Sequence, residues 1–249
     1  VNQQNEEQRV ALITGSARRI GKHIAIALHQ AGFRVIIHYR HSAEEANALA
    51  WKLNQERSGS ACALAADLML KNSLLLLIEE ANKWWGRLDL LVNNASVFMP
   101  NHLKEQCDAD WDVLFTANVK APFWLSLAAF PYLEKTQGSI VNITDIHADK
   151  PLKGYSLYCQ SKAALAMQTK SLAREFAPKV RVNAIAPGAI MWPEGENALS
   201  ESIKEKIMAQ TPLKRHGEPQ FIANAVLALS ENPFITGQVL AVDGGRSLL

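Results

Sequence analysis

Tyr158 and Lys162 stand four residues apart in an alanine-rich run whose composition predicts a helix through Phe176. On a helix that spacing puts both side chains on one face, one turn apart. A free phenol titrates at about pH 10, too high for easy proton exchange at neutral pH. A lysine ammonium on the same face favours the phenolate and is expected to pull that value down. Asp145 follows the apolar run Ser139-Ile140-Val141-Asn142-Ile143 and Thr144, which reads as a strand ending near the same point. A tyrosine and a lysine that merely share a helix fit the bare Tyr-x-x-x-Lys spacing as well, so its weight comes from the other segments.

Those segments alternate between two periods. Val10-Ala11-Leu12-Ile13 reads as a strand, Thr14 to Gly21 as a turn, and Lys22 to Ala31 as a helix stopped by Gly32. Arg34 to Tyr39 is a second strand, followed by a helix from Ala43 to Arg57 that Ser42 and Glu45 would open as a capping box. Further strands are expected at Cys62 to Ala66, Leu88 to Val92, Ser139 to Ile143, Val180 to Ala186 and Val239 to Val242. Helices are expected at Ser73 to Trp85 and Asp110 to Leu133, the latter bent near Pro122. Strands joined by helical crossovers must be parallel, and continuous apolar strands are covered on both faces. The fold class is therefore α/β: one doubly wound, Rossmann-type parallel sheet of seven strands with helices on both faces. No linker, repeat or low-complexity tract divides residues 1–249, which read as one domain with 1–8 as a tail.

Composition excludes several classes. A net charge of +2 with scattered signs implies no nucleic-acid partner. The longest apolar run, Leu74-Leu75-Leu76-Leu77-Ile78, is far short of the roughly 20 residues that span a bilayer, so no membrane partner is expected. Cys62, Cys107 and Cys159 lie far apart, which suggests neither disulfides nor a metal site and fits a reducing cytoplasm. Cys159 reads as a packing residue.

In doubly wound sheets ligands bind beyond the carboxyl ends of the strands, at the switch in strand order. That places Gly15–Gly21 (with Arg19 and Ile20), Tyr39-Arg40-His41-Ser42, Asp67-Leu68, Asn94 to Phe98, Thr144-Asp145 and Pro187-Gly188 to Trp192 on one rim. Gly15 and Gly21 let the backbone approach a pyrophosphate at a helix N-terminus. An NAD site usually has Asp or Glu after the second strand, for the ribose hydroxyls; Arg40, His41 and Ser42 stand here instead and suit a 2′-phosphate. The expected cofactor is NADPH.

With Thr14-Gly15, Asn93-Asn94-Ala95, Asn118, Tyr158/Lys162, Pro187-Gly188 and Asp243-Gly244-Gly245, the chain resembles the short-chain dehydrogenase/reductase family over nearly its full length. The resemblance implies Tyr158 as proton donor, Lys162 holding the nicotinamide ribose and lowering the tyrosine pKa, and Asn118 keeping a proton-relay water. Two departures are informative. Arg19 replaces a glycine of the usual turn, and Asp145 stands where the family has its catalytic serine. Both, with His38 to Ser42 and Asn94 to Phe98, look like the pteridine reductases of that family. That likeness implies a pterin or folate substrate contacted by Arg19, Ser96, Phe98, Asp145, Tyr158 and Trp192. It implies a homotetramer through the two long helices.

From the residues alone Phe98 fits core packing as well as stacking. A carbonyl reductase of the 3-ketoacyl type is the alternative enzyme, and a non-catalytic NADP-binding sensor is a third reading. The polar loop Pro193-Glu194-Gly195-Glu196-Asn197 is expected to admit a substrate tail.

Overall fold

The computed structural model describes residues 8–101, 108–192 and 198–249. The expected tail (save Gln8), Cys107 and the loop 193–197 lie outside the described residues. Seven parallel strands form one sheet in the order β3-β2-β1-β4-β5-β6-β7. They are β1 (Val10–Ile13), β2 (Arg34–Tyr39), β3 (Ala61–Ala65), β4 (Leu90–Asn93), β5 (Ser139–Ile143), β6 (Arg181–Pro187) and β7 (Val239–Val242). The switch in strand order falls between β1 and β4. This is the doubly wound sheet that the sequence predicts.

The alternation of side chains along each strand sorts the core into two layers. Ala11 and Ile13 of β1, Val35 and Ile37 of β2, and Val141 and Ile143 of β5 pack on one face. Above them lie α1 (Arg19–Gln30), α2 (Ala43–Glu56) and α8 (Pro219–Glu231). Val10, Leu12, Ile36 and Ile140 point the other way. They meet α3 (Lys71–Trp85), α5 (Ala121–Thr136) and α6 (Ser156–Phe176). α5 presents Ala121, Leu125, Ala129 and Leu133, a strict four-residue stripe against the sheet.

Four differences from the sequence reading have physical causes. Ser42 makes no side-chain cap at α2, and Glu45 of the expected capping box reaches Arg18 instead, 3.7 Å away. The stretch between residues 198 and 238 contains two helices that the sequence reading leaves unassigned. α8 buries Ile222, Ala223, Val226 and Leu229, whereas α7 (Glu201–Gln210) buries nothing. The long helix bends, but through a π-type turn at Thr116–Lys120 between α4 (Asp108–Phe115) and α5. Pro122 has no N–H to return to the carbonyl four residues back, at Asn118. The turn widens accordingly, and the Ala121 N–H reaches the Thr116 carbonyl five residues back. Finally, the continuous helical stretch Asp108–Thr136 is long and apolar enough to cross a bilayer by length and composition. Its inner face is taken by the sheet and by α3 and α6, as in a core helix.

Candidate active site

One cleft of about 780 Å³ runs along the carboxyl ends of β1 to β6. The rim segments converge there: Gly15 to Gly21, Tyr39 to Ser42, Asp67-Leu68, Asn94 to Phe98, Thr144-Asp145, Tyr158, Lys162 and Pro187 to Trp192. Such a volume lies within the range of small-molecule sites.

At the β1 end the glycine turn is held from both sides. The Asn94 amide donates to the carbonyls of Thr14 (2.8 Å) and Gly15 (3.0 Å), and the Thr14 hydroxyl accepts from the N–H groups of Asn94 and Ala95. Gly15 has φ +61°, and a Cβ at Gly21 would lie 2.5 Å from the Gly15 carbonyl and 2.6 Å from the Asn94 amide nitrogen. Both positions therefore need glycine. His38 is buried and braces the same turn. Its Nδ1 accepts from the Gly15 N–H at 3.0 Å while its Nε2–H donates to the Ala66 carbonyl at 3.2 Å. Burial holds its pKa down to about 4, against weaker support from Ala66 and Asp67, so it is a neutral brace.

After β2, Tyr39, Arg40, His41 and Ser42 line the cleft, and Arg40 pairs with Asp67 at 3.1 Å. The residues fit a dinucleotide: a helix N-terminus behind a glycine turn, guanidinium groups at Arg18 and Arg40, and a slot that continues to Lys162. Arg19 (φ +52°) donates to the Trp192 carbonyl at 3.1 Å and so ties the turn to the far wall.

The reacting end is built by β5 and α6. β5 stops at Ile143, and Thr144 is pinned to β6 through the Ile185 carbonyl. Asp145 is thereby delivered to the start of α6, where the Tyr158 hydroxyl donates to its Oδ2 at 2.7 Å. Its Oδ1 accepts from the His147 N–H at 2.9 Å. Lys162 is only 2% exposed; its ammonium donates to the Ile143 carbonyl at 3.0 Å and lies 5.7 Å from the Tyr158 ring centroid. Burial lowers the Lys162 pKa to about 8, with Asp145 opposing.

The Tyr158 phenol corrects an expectation. Its pKa is raised well above the ordinary value, not lowered, because the group is buried and because Asp145 adds its charge and hydrogen bond. A spacing of four in sequence shows the lysine but not the burial, and burial dominates.

Asn118 has its side chain fully engaged. It exchanges hydrogen bonds with Val97 (2.8 and 3.0 Å) and donates to Ser161 on α6, which locks the wall to the tyrosine helix. A water relay at this residue would use its backbone carbonyl, to which Pro122 offers no N–H. Phe98 stacks one face on Tyr155 (4.6 Å between centroids) and meets Tyr158 edge-on at 4.8 Å. Ser96 is exposed on the same wall, and Trp192 lines the other side with its ring 4.3 Å from His216.

Other residues that line the cleft belong to no motif of the sequence: Tyr155, His147, and Leu199, Ile203 and Ile207 on or beside α7; Arg246, near the C-terminus, lines it as well. The four-residue spacing of Ile203 and Ile207 was the available sign of a helix facing the cleft. A histidine interrupting the apolar strand Val35-Ile36-Ile37-His38 was the sign of the brace.

A family model described as enoyl-(acyl carrier protein) reductase matches residues 15–247. The chain is 35% identical to a 3-oxoacyl-[acyl-carrier-protein] reductase FabG of Staphylococcus epidermidis, over 94% of this chain and 97% of that protein. It is 34% identical to pteridine reductase 1 of Leishmania tarentolae, over 96% of each. It is 36% identical to a granaticin polyketide synthase putative ketoacyl reductase 2 of Streptomyces violaceoruber, over 98% of each. With this cleft and these relatives, the chain belongs to the short-chain dehydrogenase/reductase family and is an NAD(P)(H)-dependent oxidoreductase.

Proposed function

We propose that the enzyme uses NADPH to reduce a ring C=N bond of a dihydropterin, or of dihydrofolate, to the tetrahydro form. The relatives' names favour ketoacyl reduction at least as strongly, so the reading rests on one observation: the Asp145–Tyr158 hydrogen bond of 2.7 Å.

A carboxylate at that position opposes negative charge on the substrate. Unit charges 4 Å apart at an effective dielectric of 20 interact by about 4 kcal/mol. A ketone gathers negative charge on oxygen as hydride arrives. A C=N bond protonated on nitrogen starts positive and ends neutral, so Asp145 favours the second course. The cofactor, when bound, supplies the hydride. Tyr158 holds a proton beside the reacting atom, and Asp145 orients that hydroxyl and accepts N–H donors of the heterocycle. Lys162, with a pKa of about 8, is placed to stabilise the phenolate left behind and to restore its proton. Phe98 lines the slot and supplies aromatic surface for a flat ring.

Arg40 and Ser42, with no acid before Glu44, support NADPH over NADH. Half-exposed Trp111, Phe123 and Met167 on α4, α5 and α6 support a homotetramer built on these helices. The second reading is 3-ketoacyl reduction, supported by the relatives' names and by the apolar wall of Leu199, Ile203 and Ile207.

NADPH oxidation with dihydrobiopterin beside an acetoacetyl thioester separates the two readings. Asp145→Ala and Tyr158→Phe should each lose most dihydropterin turnover while still binding NADPH. Normal rates in both variants would overturn the assignment.

A further inference from the structure

Arg246 differs from the other guanidinium groups of the cleft. Arg18 faces Glu45, Arg40 pairs with Asp67, and Arg19 holds the Trp192 carbonyl. Among the described residues Arg246 has no carboxylate at ion-pair distance, and neither has Lys150. One guanidinium nitrogen of Arg246 donates to the Ile207 carbonyl at the end of α7 (3.0 Å), which fixes the group on the cleft wall. The Lys150 ammonium lies 3.4 Å from the Arg246 carbonyl.

These cations are tied to the reacting end. Asp145 accepts from the His147 N–H, and His147 Nδ1–H donates to the Lys150 carbonyl at 2.8 Å. Asp243, three residues before Arg246, is spent on the N–H groups of Gly245 (2.9 Å) and Ser247 (2.7 Å). Leu199, Ile203 and Ile207, which are apolar, line the same cleft as Arg246. A guanidinium has five donors in a planar fork suited to carboxylate or phosphate, and among the described residues one nitrogen of Arg246 is engaged.

We infer that Arg246, seconded by Lys150, forms a subsite for an anionic substrate tail that passes along the apolar side of α7. The inference rests on the oxidoreductase reading of the cleft but not on which bond is reduced. The shared chemistry is an anion beyond an apolar or aromatic spacer, and it has two sources: the carboxylates of a folate-type tail or the phosphates of a pantetheine-type thioester.

The test uses the full chain with NADP+ bound and reads ligand affinity by tryptophan quenching, Trp192 being in the cleft. Two matched pairs serve as probes: dihydrofolate against dihydrobiopterin, and acetoacetyl-CoA against the neutral acetoacetyl N-acetylcysteamine thioester. In whichever pair binds, the wild type should prefer the anionic member by tenfold or more, and added salt should shrink that preference. Arg246→Gln should bring the ratio near one, Lys150→Gln should cut it about threefold, and Arg246→Lys should keep most of it. Should Arg246→Gln fail to fold, the Lys150 variant and the salt series carry the test. Equal affinity within both pairs, or a ratio unmoved by the Arg246 variants, overturns the subsite. Failure of the pterin pair alone overturns the pterin reading and leaves the subsite to be read from the acyl pair.

Discussion

The two ends of the sheet treat a carboxylate in opposite ways. At the amino end Asp89 is gripped by Arg87 through two hydrogen bonds (2.7 and 2.9 Å) and also accepts from the Val10 N–H at 2.8 Å. At the same end, Ser60 is locked between His29 and the Arg57 carbonyl, and the Asn54 side chain closes the turn into β3. At the carboxyl end Asp145 has no cation at ion-pair distance among the described residues; it has a phenol and a backbone N–H. A carboxylate that is fully paired holds structure. One whose partner is a movable proton can do chemistry.

The largest break in this contrast should come from Tyr158→Phe. Removing the donor should lower kcat for dihydropterin by roughly 10²–10⁴-fold, the scale of general acid catalysis, with NADPH affinity nearly unchanged. Stopped-flow hydride transfer and a cofactor titration check both halves. At the other end, Arg87→Ala leaves Asp89 buried without its cation. It should cost about 3 kcal/mol of unfolding free energy in a urea titration, while kcat per folded molecule holds.

His38 sharpens the comparison through pH. Its folded pKa of about 4 lies below its ordinary 6.5, so between these values the unfolded chain binds a proton that the native state refuses. Stability contributed by the neutral brace is complete above pH 6.5 and falls as pH drops toward 4, by ~3 kcal/mol in all. His38→Gln should flatten that acid limb in thermal melts between pH 4 and 7. The smallest effect expected is at Arg40, half-exposed and already paired with Asp67. Arg40→Ala should weaken NADPH binding by about tenfold, on the scale of one charge-assisted contact, and leave NADH binding near its wild-type value.

Much of this was legible in the chain itself. Runs such as Val10 to Ile13 are apolar throughout because the central strands are covered on both faces, and turns such as Thr14 to Gly21 separate them cleanly. The convergence of Gly15, Asn94, Asp145, Tyr158 and Lys162 followed from parallel strands sharing one carboxyl rim. What escaped depended on tertiary surroundings. The direction of the Tyr158 pKa is decided by burial among Phe98, Tyr155 and Asp145, none of which a helical spacing reports. The contacts of the Asn118 amide with Val97 and Ser161 are likewise set by tertiary packing that no spacing in the sequence reports. α7 escaped because it buries no residue and so lacks a full apolar stripe, and Ser42 failed as a cap because Glu45 found Arg18.

In the proposed reaction the Asp145 carboxylate selects a substrate that gains a proton over one that gains an oxyanion. Replacing Asp145 with serine tests it most directly, through kcat/KM for dihydrobiopterin divided by kcat/KM for an acetoacetyl thioester. That ratio should fall by about 10²-fold or more, from loss of the pterin rate and gain of the ketone rate. A ratio the same in Asp145→Ser as in the wild type would mean that the carboxylate plays no part in choosing the bond reduced.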